Sequence, residues 1–114
     1  MKKRTPLNKY RYYKKDYAKY LLLIKNKDKL ITYDIDAKIV SYLFKIDYFD
    51  ELILSKYLLD DLLVLKEKYH FNIAVISSKI REYYCDNNSD YLRLKNKSKK
   101  YVKEYGCYGE EWHI

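Results

Sequence analysis

Residues 21–37 read L-L-L-I-K-N-K-D-K-L-I-T-Y-D-I-D-A, and this stretch is the strongest indication of the architecture. Two apolar runs lie on either side of a polar turn, N-K-D, at residues 26–28. Short apolar runs bounded by turn residues are typical of β-strands. The stretch therefore predicts a β-hairpin with strands at about 20–26 and 28–34, and the Asp-Ile-Asp-Ala segment at 34–37 predicts the start of a helix.

The tip of this hairpin carries three lysines and no glycine. Asparagine and aspartate tolerate the positive φ that tight hairpin turns require, so we expect Asn26 or Asp28 to supply it. Lys25, Lys27 and Lys29 alternate along the chain, and alternate side chains of a strand share one face. The sequence thus predicts three positive charges on one side of the tip.

A helix is predicted before the hairpin, beginning at Thr5-Pro6, because threonine favours the N-cap and proline the first helical position. An aromatic stripe then recurs at spacings of three and four residues, which marks one helix face. We interpret the stripe as a core contact rather than a base-stacking platform; it comprises Leu7, Tyr10, Tyr13, Tyr17 and Tyr20.

Helices and strands alternate after the hairpin. Asp34 or Asp36 is predicted to cap a helix whose buried stripe is Ala37, Val40, Leu43 and Phe44. A short strand at 51–54 precedes a helix that we expect Ser55 to cap. The inner face of that helix is predicted to consist of Leu58, Leu62, Leu65 and Tyr69, with residues 66–68 outward, and residues 71–76 form the clearest buried strand.

The chain becomes more polar after Ser78. We expect a polar, turn-rich segment at 81–90 with a loop at 86–89, an edge strand at 91–95 and a short basic helix at 97–105. The predicted organisation is a basic arm at 1–5, a core at 6–78 and a basic, aromatic C-terminal extension at 79–114. The predicted fold class is α/β (α+β), a mixed β-sheet with about three packed helices.

The formal charge of +8 is concentrated at the two ends of the chain. Residues 1–20 hold eight basic groups against one acid, residues 21–78 eight against nine, and residues 79–114 eight against six. A basic balance favours polyanionic partners. Apolar stretches reach about five residues, far short of a membrane span, and no signal peptide pattern opens the chain. We therefore expect no membrane partner and a cytoplasmic location.

Residue patterns that carry catalysis are sparse, so we expect no enzyme, no cofactor and no metal. His70 lies between aromatic residues and is interpreted as a packed or surface imidazole. The spacing of Cys85, Cys107 and His113 matches no standard zinc pattern, and a fourth ligand is missing. No glycine-rich phosphate loop is present. The remaining candidates are interpreted as acids that stabilise helix starts: Asp34, Asp36, Asp60 and Asp61.

The order of these elements resembles the N-terminal, mismatch-contacting domain of the MutS mismatch-repair family. The resemblance covers about residues 5–78. It is carried by five segments: Thr5-Pro6-Leu7 with the tyrosine-rich helix, the Leu21–Leu23 strand, Tyr33–Ala37 with the helix ending at Leu43–Ile46, the helix containing Lys56–Leu62, and the Asn72–Ile76 strand. It implies a mixed sheet with packed helices.

The hairpin departs from the family pattern. The family has a glycine followed by a Phe-Tyr-Glu triplet, in which the Phe wedges against the mismatch and the Glu bonds the displaced base. Those places hold Lys27 and then Lys29, Leu30 and Ile31 in this chain. The chain is also too short for the clamp, lever and ATPase domains of the family. We therefore expect the scaffold without mismatch recognition.

The first functional hypothesis is a small non-enzymatic nucleic-acid-binding module, with DNA preferred to RNA as its partner. Lysine and arginine contact phosphate without reading sequence. Tyr12, Tyr91 and Tyr101 are candidates for base stacking. The predicted contacts lie at the hairpin tip, on the first helix with the arm, and in the tail: Lys25, Lys27, Lys29, Lys9, Arg11, Lys14, Lys15, Arg93, Lys95, Lys97, Lys99 and Lys100.

The alternative hypothesis is a protein-interaction module of a phage or mobile element. The chain is short, and its tyrosine, lysine, isoleucine and asparagine are all encoded by A/T-rich codons. Such a protein would inhibit a host nucleoprotein complex, as small anti-defence or anti-CRISPR inhibitors do, and would meet an acidic protein patch or the bound nucleic acid. Size and composition alone support this hypothesis.

Overall fold

The hairpin predicted at the start of the chain forms the centre of a five-stranded sheet. The computed structural model describes residues 5–106, and every structural statement below concerns that range. The strand order is β3-β2-β1-β4-β5; β1 runs parallel to β4 and the other neighbours are antiparallel. The strands are β1 Tyr20–Asn26, β2 Lys29–Tyr33, β3 Glu51–Ser55, β4 Asn72–Ile76 and β5 Ile80–Tyr83.

Four α-helices are described with this sheet: the three packed helices that were predicted, and a fourth that overlaps the short basic helix predicted at 97–105 but begins at Tyr91. They are α1 Pro6–Lys14, α2 Asp34–Phe44, α3 Leu58–Tyr69 and α4 Tyr91–Tyr101, and a π-helical segment, Val102–Gly106, continues α4. A mixed sheet packed with helices is an α+β architecture, so the predicted fold class is confirmed.

Helices cover both faces of the central strand β1. Leu21 and Leu23 belong to a core with side chains of α2, α3 and α4, whereas Leu22 and Ile24 pack with the α1 side. Alternate residues of a strand point to opposite faces, so a strand covered on both sides needs an unbroken apolar run. This explains why the hairpin opens with four consecutive aliphatic residues.

The first helix begins as predicted. The Thr5 Oγ1 accepts a hydrogen bond from the Asn8 N–H at 3.1 Å, and Pro6 occupies the first helical position. Tyr10 is buried against β1 and β2, and the remaining members of the aromatic stripe are partly buried in the same cluster. The interpretation of the stripe as a core contact is therefore confirmed.

The predicted turn chemistry of the hairpin is wrong. The register pairs Asn26 with Lys29, which leaves a two-residue loop of Lys27 and Asp28. Lys27 adopts the positive φ of 57°, whereas Asn26 lies within β1. The strand register, set by the buried faces on either side, overrides the local preference of asparagine and aspartate.

The predicted caps of the next two helices are also wrong. Tyr33 occupies the N-cap position of α2 without a side-chain hydrogen bond, and Asp36 is buried in the core instead. Tyr57 occupies the N-cap position of α3, because a turn separates Ser55 from the helix. The Ser55 Oγ instead accepts a hydrogen bond from the Tyr57 N–H.

The apolar stripes of α2 and α3 are confirmed. Ala37 and Val40 are buried, Leu62 is fully buried, and the other predicted members pack partly buried against the same core. Asp60 and Asp61 lie in the first turn of α3, as predicted. Lys66 differs from the predicted outward position, since its side chain is largely covered and bonds Glu67.

The largest correction concerns the chain after Ser78. Residues 80–83 form the edge strand β5, where no strand was predicted, and residues 91–95 belong to α4 rather than to a strand. The Asp90 side chain caps α4 by accepting from the Arg93 N–H. Tyr91, Leu94 and Val102 are members of the core that also contains the β1 leucines, so the core extends past the boundary predicted at residue 78.

Candidate nucleic-acid interface

The predicted hairpin lysines are exposed, but they do not share one side. Lys25 is paired with Leu30 and Lys29 with Asn26. Residues paired across two antiparallel strands share a face, and neighbouring residues of one strand lie on opposite faces. Lys25 and Lys29 are therefore on opposite faces of the sheet, because the loop at Lys27 reverses the chain with an even number of residues.

The basic residues predicted on α1 and its C-cap are divided between surface and interior. Arg11 and Lys15 are exposed and Lys9 is partly buried. The arm residues Lys2, Lys3 and Arg4, which extend this group in the sequence, lie outside the described range. Lys14 turns inward, and its Nζ lies 2.8 Å from the Asp36 carboxylate and 2.7 Å from the Tyr20 carbonyl oxygen. The predicted phosphate contact at Lys14 is thus corrected to an internal ion pair.

Asp36 joins four elements through one carboxylate. Its oxygens accept hydrogen bonds from the hydroxyls of Tyr10 on α1 and Tyr91 on α4, each at 2.7 Å, and from the Leu22 N–H on β1 at 3.3 Å. With the Lys14 ammonium, these donors surround a side chain that has no solvent exposure. Buried charges persist in proteins when they are paired and hydrogen-bonded, as this one is.

The two tyrosines of this network are held in their neutral form. Burial raises the pKa of Tyr10 well above its ordinary value, and the adjacent Asp36 charge and its hydrogen bond raise it further. The pKa of Tyr91 is raised by the same causes in the same order. Tyr91 is consequently a structural donor with a buried ring, which corrects its prediction as a base-stacking residue.

The basic residues predicted in the tail lie on two sides of α4. Arg93 and Lys97 line a cleft against the end of α3, while Lys95 lines a separate cleft beside Lys19. Lys99 follows Lys95 by one helical turn and is exposed. The inward side of α4 carries Tyr91, Leu94 and Ser98.

The cleft between α3 and α4 has a volume of about 280 Å³ and a cationic lining. Lys68, Arg93 and Lys97 contribute positive charge, and Asp90 is the acid in its lining. His70 ends α3 in the left-handed conformation, with φ 59°. Its Nδ1 is buried and has no hydrogen-bond partner among the described residues.

A cluster of tyrosine rings adjoins this cleft. The Tyr42 ring centroid lies 6.1 Å from that of Tyr69 and 5.8 Å from that of Tyr101, and Tyr101 contacts Tyr105. The Lys45 Nζ lies 3.8 Å from the Tyr42 centroid and 4.9 Å from the Tyr101 centroid, in cation–π contact with both. A second cleft of about 260 Å³ passes this cluster and is lined by Lys45, Lys97 and Lys100.

The two clefts share Lys97 and form one continuous surface. We call it the α4 basic surface and define it by its five cations: Lys45, Lys68, Arg93, Lys97 and Lys100. Sequence reasoning identified the three on α4. It missed Lys45, Lys68 and His70, which are distant in the chain and reach α4 through packing of the helices. A helical interpretation of residues 91–101 would have shown that Arg93, Lys97 and Lys100 share one side.

No match was found when the chain was compared with known protein families, with curated proteins and with solved structures. The resemblance to the MutS N-terminal domain therefore stays a prediction. In the described range, no helix has the length and apolar composition needed to cross a membrane. Cys85 is a free, partly buried thiol, and the other residues considered above for zinc, Cys107 and His113, lie outside that range.

Proposed function

We propose that this protein is a small non-enzymatic module that binds nucleic acid through the α4 basic surface. The observation that carries the proposal is the convergence of five cations, from the C-cap of α2, the last turn of α3 and α4, on two adjoining clefts that share Lys97. Cationic side chains supply the sequence-independent part of nucleic-acid affinity by neutralising phosphates. The acids in the linings of the two clefts are Asp90 and Glu104, so positive charge predominates there.

Three cations form a row along α4, and the length of this row fits a short segment of a nucleic-acid strand. Arg93 and Lys100, with Lys97 between them, are seven residue steps apart on the helix, about 10 Å at 1.5 Å per residue. A nucleic-acid strand in B-form geometry advances about 3.4 Å per nucleotide, so the row matches about three phosphates. The exposed Tyr105 ring at one end of the cluster is placed to stack on a base.

Binding is proposed to occur without mismatch recognition. At the places where the MutS family keeps its triplet, Lys29 is exposed while Leu30 and Ile31 are buried in the two cores. Lys29, at the Phe position, has no aromatic ring to wedge against a mismatch, and the buried aliphatic side chain of Ile31, at the Glu position, offers no acceptor to a displaced base. DNA is the proposed partner in preference to RNA, on the expectation drawn from the sequence.

A matched pair of triple variants tests the proposal. The variant Arg93→Ala/Lys97→Ala/Lys100→Ala removes three charges from the α4 basic surface. The variant Lys27→Ala/Lys29→Ala/Lys79→Ala removes three exposed lysines from the opposite end of the sheet. Fluorescent duplex DNA, single-stranded DNA and RNA are titrated with both at two salt concentrations. We expect the first variant to lose at least about tenfold in affinity and to reduce the slope of log K against log salt by about 2 to 3.

Two results would contradict the proposal. Equal losses in both variants would mean that binding follows net charge rather than the α4 basic surface. Failure of the unmodified protein to bind any of the three probes more tightly than about 100 μM at low salt would exclude nucleic acid as the partner, since non-specific binders reach that level at physiological salt. Pull-down from a host lysate with nuclease treatment then tests the protein-interaction hypothesis.

A further inference from the structure

Another cleft, of about 330 Å³, lies at the end of the sheet opposite α4 and is distinct from the clefts described above. We call it the tip cleft because the hairpin forms part of it. Buried Leu30 and Val75 make an apolar floor, and Tyr57 stands at its edge. Lys25, Lys56 and Arg81 supply three positive charges, and no acid is among the residues that line it. Its size is at the lower end of the range for small-molecule sites.

The strand register brings the charges to the same face. Lys25 is paired with Leu30, and Arg81 of β5 is paired with Val75 of β4, so both cations share the face of the apolar floor. Adjacent strands are about 4.8 Å apart, which places β5 about 10 Å from β1 with Val75 between them. Lys56 approaches from the turn between β3 and α3. An anionic group above Val75 is thus approached by cations from three elements.

An aromatic surface adjoins these cations. The Tyr57 side chain is 74% exposed, and the Lys56 Nζ lies 5.4 Å from the centroid of its ring. Lys56 also pairs with Asp28 at 3.5 Å on the outer rim, in a solvent-exposed contact. Surface pairs of this kind are weak and yield readily to a stronger anion. An exposed tyrosine beside an apolar floor is a stacking platform for a planar base.

We propose that the tip cleft binds a phosphorylated nucleoside, with the phosphate near Lys25, Lys56 and Arg81 and the base against Tyr57. A planar, largely apolar ring system joined to an anionic group matches the division of the cleft into an aromatic edge and a cationic rim. The ligand is either a free nucleotide or one nucleotide of a strand. This site is separate from the α4 basic surface, so the inference does not depend on the proposed function.

The test compares 5′-AMP with its two parts, adenosine and inorganic phosphate, by calorimetry and by chemical shifts of the full-length chain. We expect AMP to bind at least about tenfold more tightly than either part, because stacking and phosphate contacts add. Equal binding of AMP and phosphate would overturn the proposal and show an anion patch alone. Absence of saturation by AMP would overturn it as well.

Variants locate the ligand within the cleft. Tyr57→Ala is expected to weaken AMP at least about fivefold and to leave phosphate unchanged, whereas Arg81→Ala weakens both. Lys103→Ala removes one exposed charge from the far end of the chain and is the control, with AMP affinity unchanged. An unchanged AMP affinity in Tyr57→Ala would overturn the placement of the base. Melting temperatures of all variants confirm that the fold is retained.

The source of the nucleotide is settled in the variant that lacks Arg93, Lys97 and Lys100. If oligo-dT binds this variant at least about tenfold more tightly than AMP, and AMP displaces it, the ligand is one nucleotide of a DNA strand. Oligo-dT that binds no better than AMP identifies a free nucleotide. Failure of the α4 proposal is distinguishable, because AMP titrated into the variant that lacks Arg93, Lys97 and Lys100 reports on the tip cleft after the three α4 charges have been removed.

Discussion

At the scale of single residues, the fold depends most on one buried carboxylate. Asp36 receives donors from α1, β1 and α4, while it belongs to α2. Sequence reasoning assigned it a structural role at a helix start and so identified the class of role but not the partners. Nothing local distinguishes Asp36 from Asp34, which is exposed, since the distinction arises from tyrosines 26 and 55 positions away.

Removing this carboxylate should destabilise the protein strongly. Asp36→Ala leaves two buried hydroxyls without their acceptor and the Lys14 ammonium without its counter-charge, so we expect the free energy of unfolding to fall by about 3–5 kcal/mol. Asp16→Ala, an exposed aspartate after α1, is the control and should change it by less than about 0.5 kcal/mol. Urea unfolding measures both. A loss near 1 kcal/mol for Asp36→Ala would show that the network contributes little.

The same network predicts a dependence of stability on alkaline pH. The pKa values of Tyr10 and Tyr91 are raised in the folded protein, so the folded state retains two protons that the unfolded state releases above pH 10. Their contribution to stability is complete below pH 10 and is lost as the pH rises further. Each tyrosine lowers the free energy of unfolding by about 1.4 kcal/mol per pH unit in that range.

The variant Tyr91→Phe isolates one of these contributions. Its free energy of unfolding should decline less steeply between pH 10 and 11.5 than that of the unmodified protein, by about 1.4 kcal/mol per pH unit. The comparison uses slopes because the variant also loses a hydrogen bond to a buried charge at every pH. Urea midpoints at four pH values provide the measurement, and equal slopes would contradict the assignment of Tyr91 as a buried neutral donor.

At the scale of elements, hydrophobic periodicity predicted the strands and helices whose apolar residues keep one regular spacing. It failed in α4, where polar residues interrupt that spacing. The hairpin, α2, β3, α3 and β4 follow from runs and stripes that keep one period. In α4, Tyr91, Leu94 and Ser98 are buried at helical spacing, but most of the residues between them are polar. The alternation of apolar and polar residues at 91–95 therefore matches the pattern of a strand. The predicted caps of α2 and α3 were wrong for a different reason, since tertiary packing placed these helix starts away from the residues with the best local preference.

The exposure of two leucines on α4 distinguishes the observed helix from the strand predicted at 91–95. In a strand, Leu92 and Leu94 would share a face, whereas in the helix Leu94 is 2% exposed and Leu92 is 63% exposed. Leu94→Ala should therefore lower the free energy of unfolding by about 2–5 kcal/mol, as core leucine truncations do. Leu92→Ala should change it by less than about 0.5 kcal/mol. Similar losses in both variants would contradict the helical register.

At the scale of the whole molecule, the two proposed sites lie at opposite ends of β1. This strand has seven residues, which extend about 20 Å at about 3.3 Å per residue. The sequence predicted a single dispersed set of cations, because charges alone do not reveal which of them packing brings together. The structure instead divides them into the α4 basic surface, the tip cleft and lysines that join neither. A ligand long enough to reach both sites binds more tightly than a ligand that reaches one, because the second contact is made within the same complex.

This separation predicts a length threshold for single-stranded DNA. For a strand that advances about 3.4 Å per nucleotide, as in B-form DNA, about three nucleotides match the α4 row, about six cover the intervening 20 Å and one fills the tip cleft, which gives at most about ten. We expect the affinity of the unmodified protein for oligo-dT to rise at least about tenfold between 4 and 16 nucleotides. This rise exceeds the statistical gain from the larger number of positions at which a longer oligonucleotide can bind. The rise should disappear both in Arg81→Ala/Tyr57→Ala and in the α4 triple variant. Fluorescence anisotropy at fixed salt measures it, and a gain that survives in either variant would show that one strand does not join the two sites.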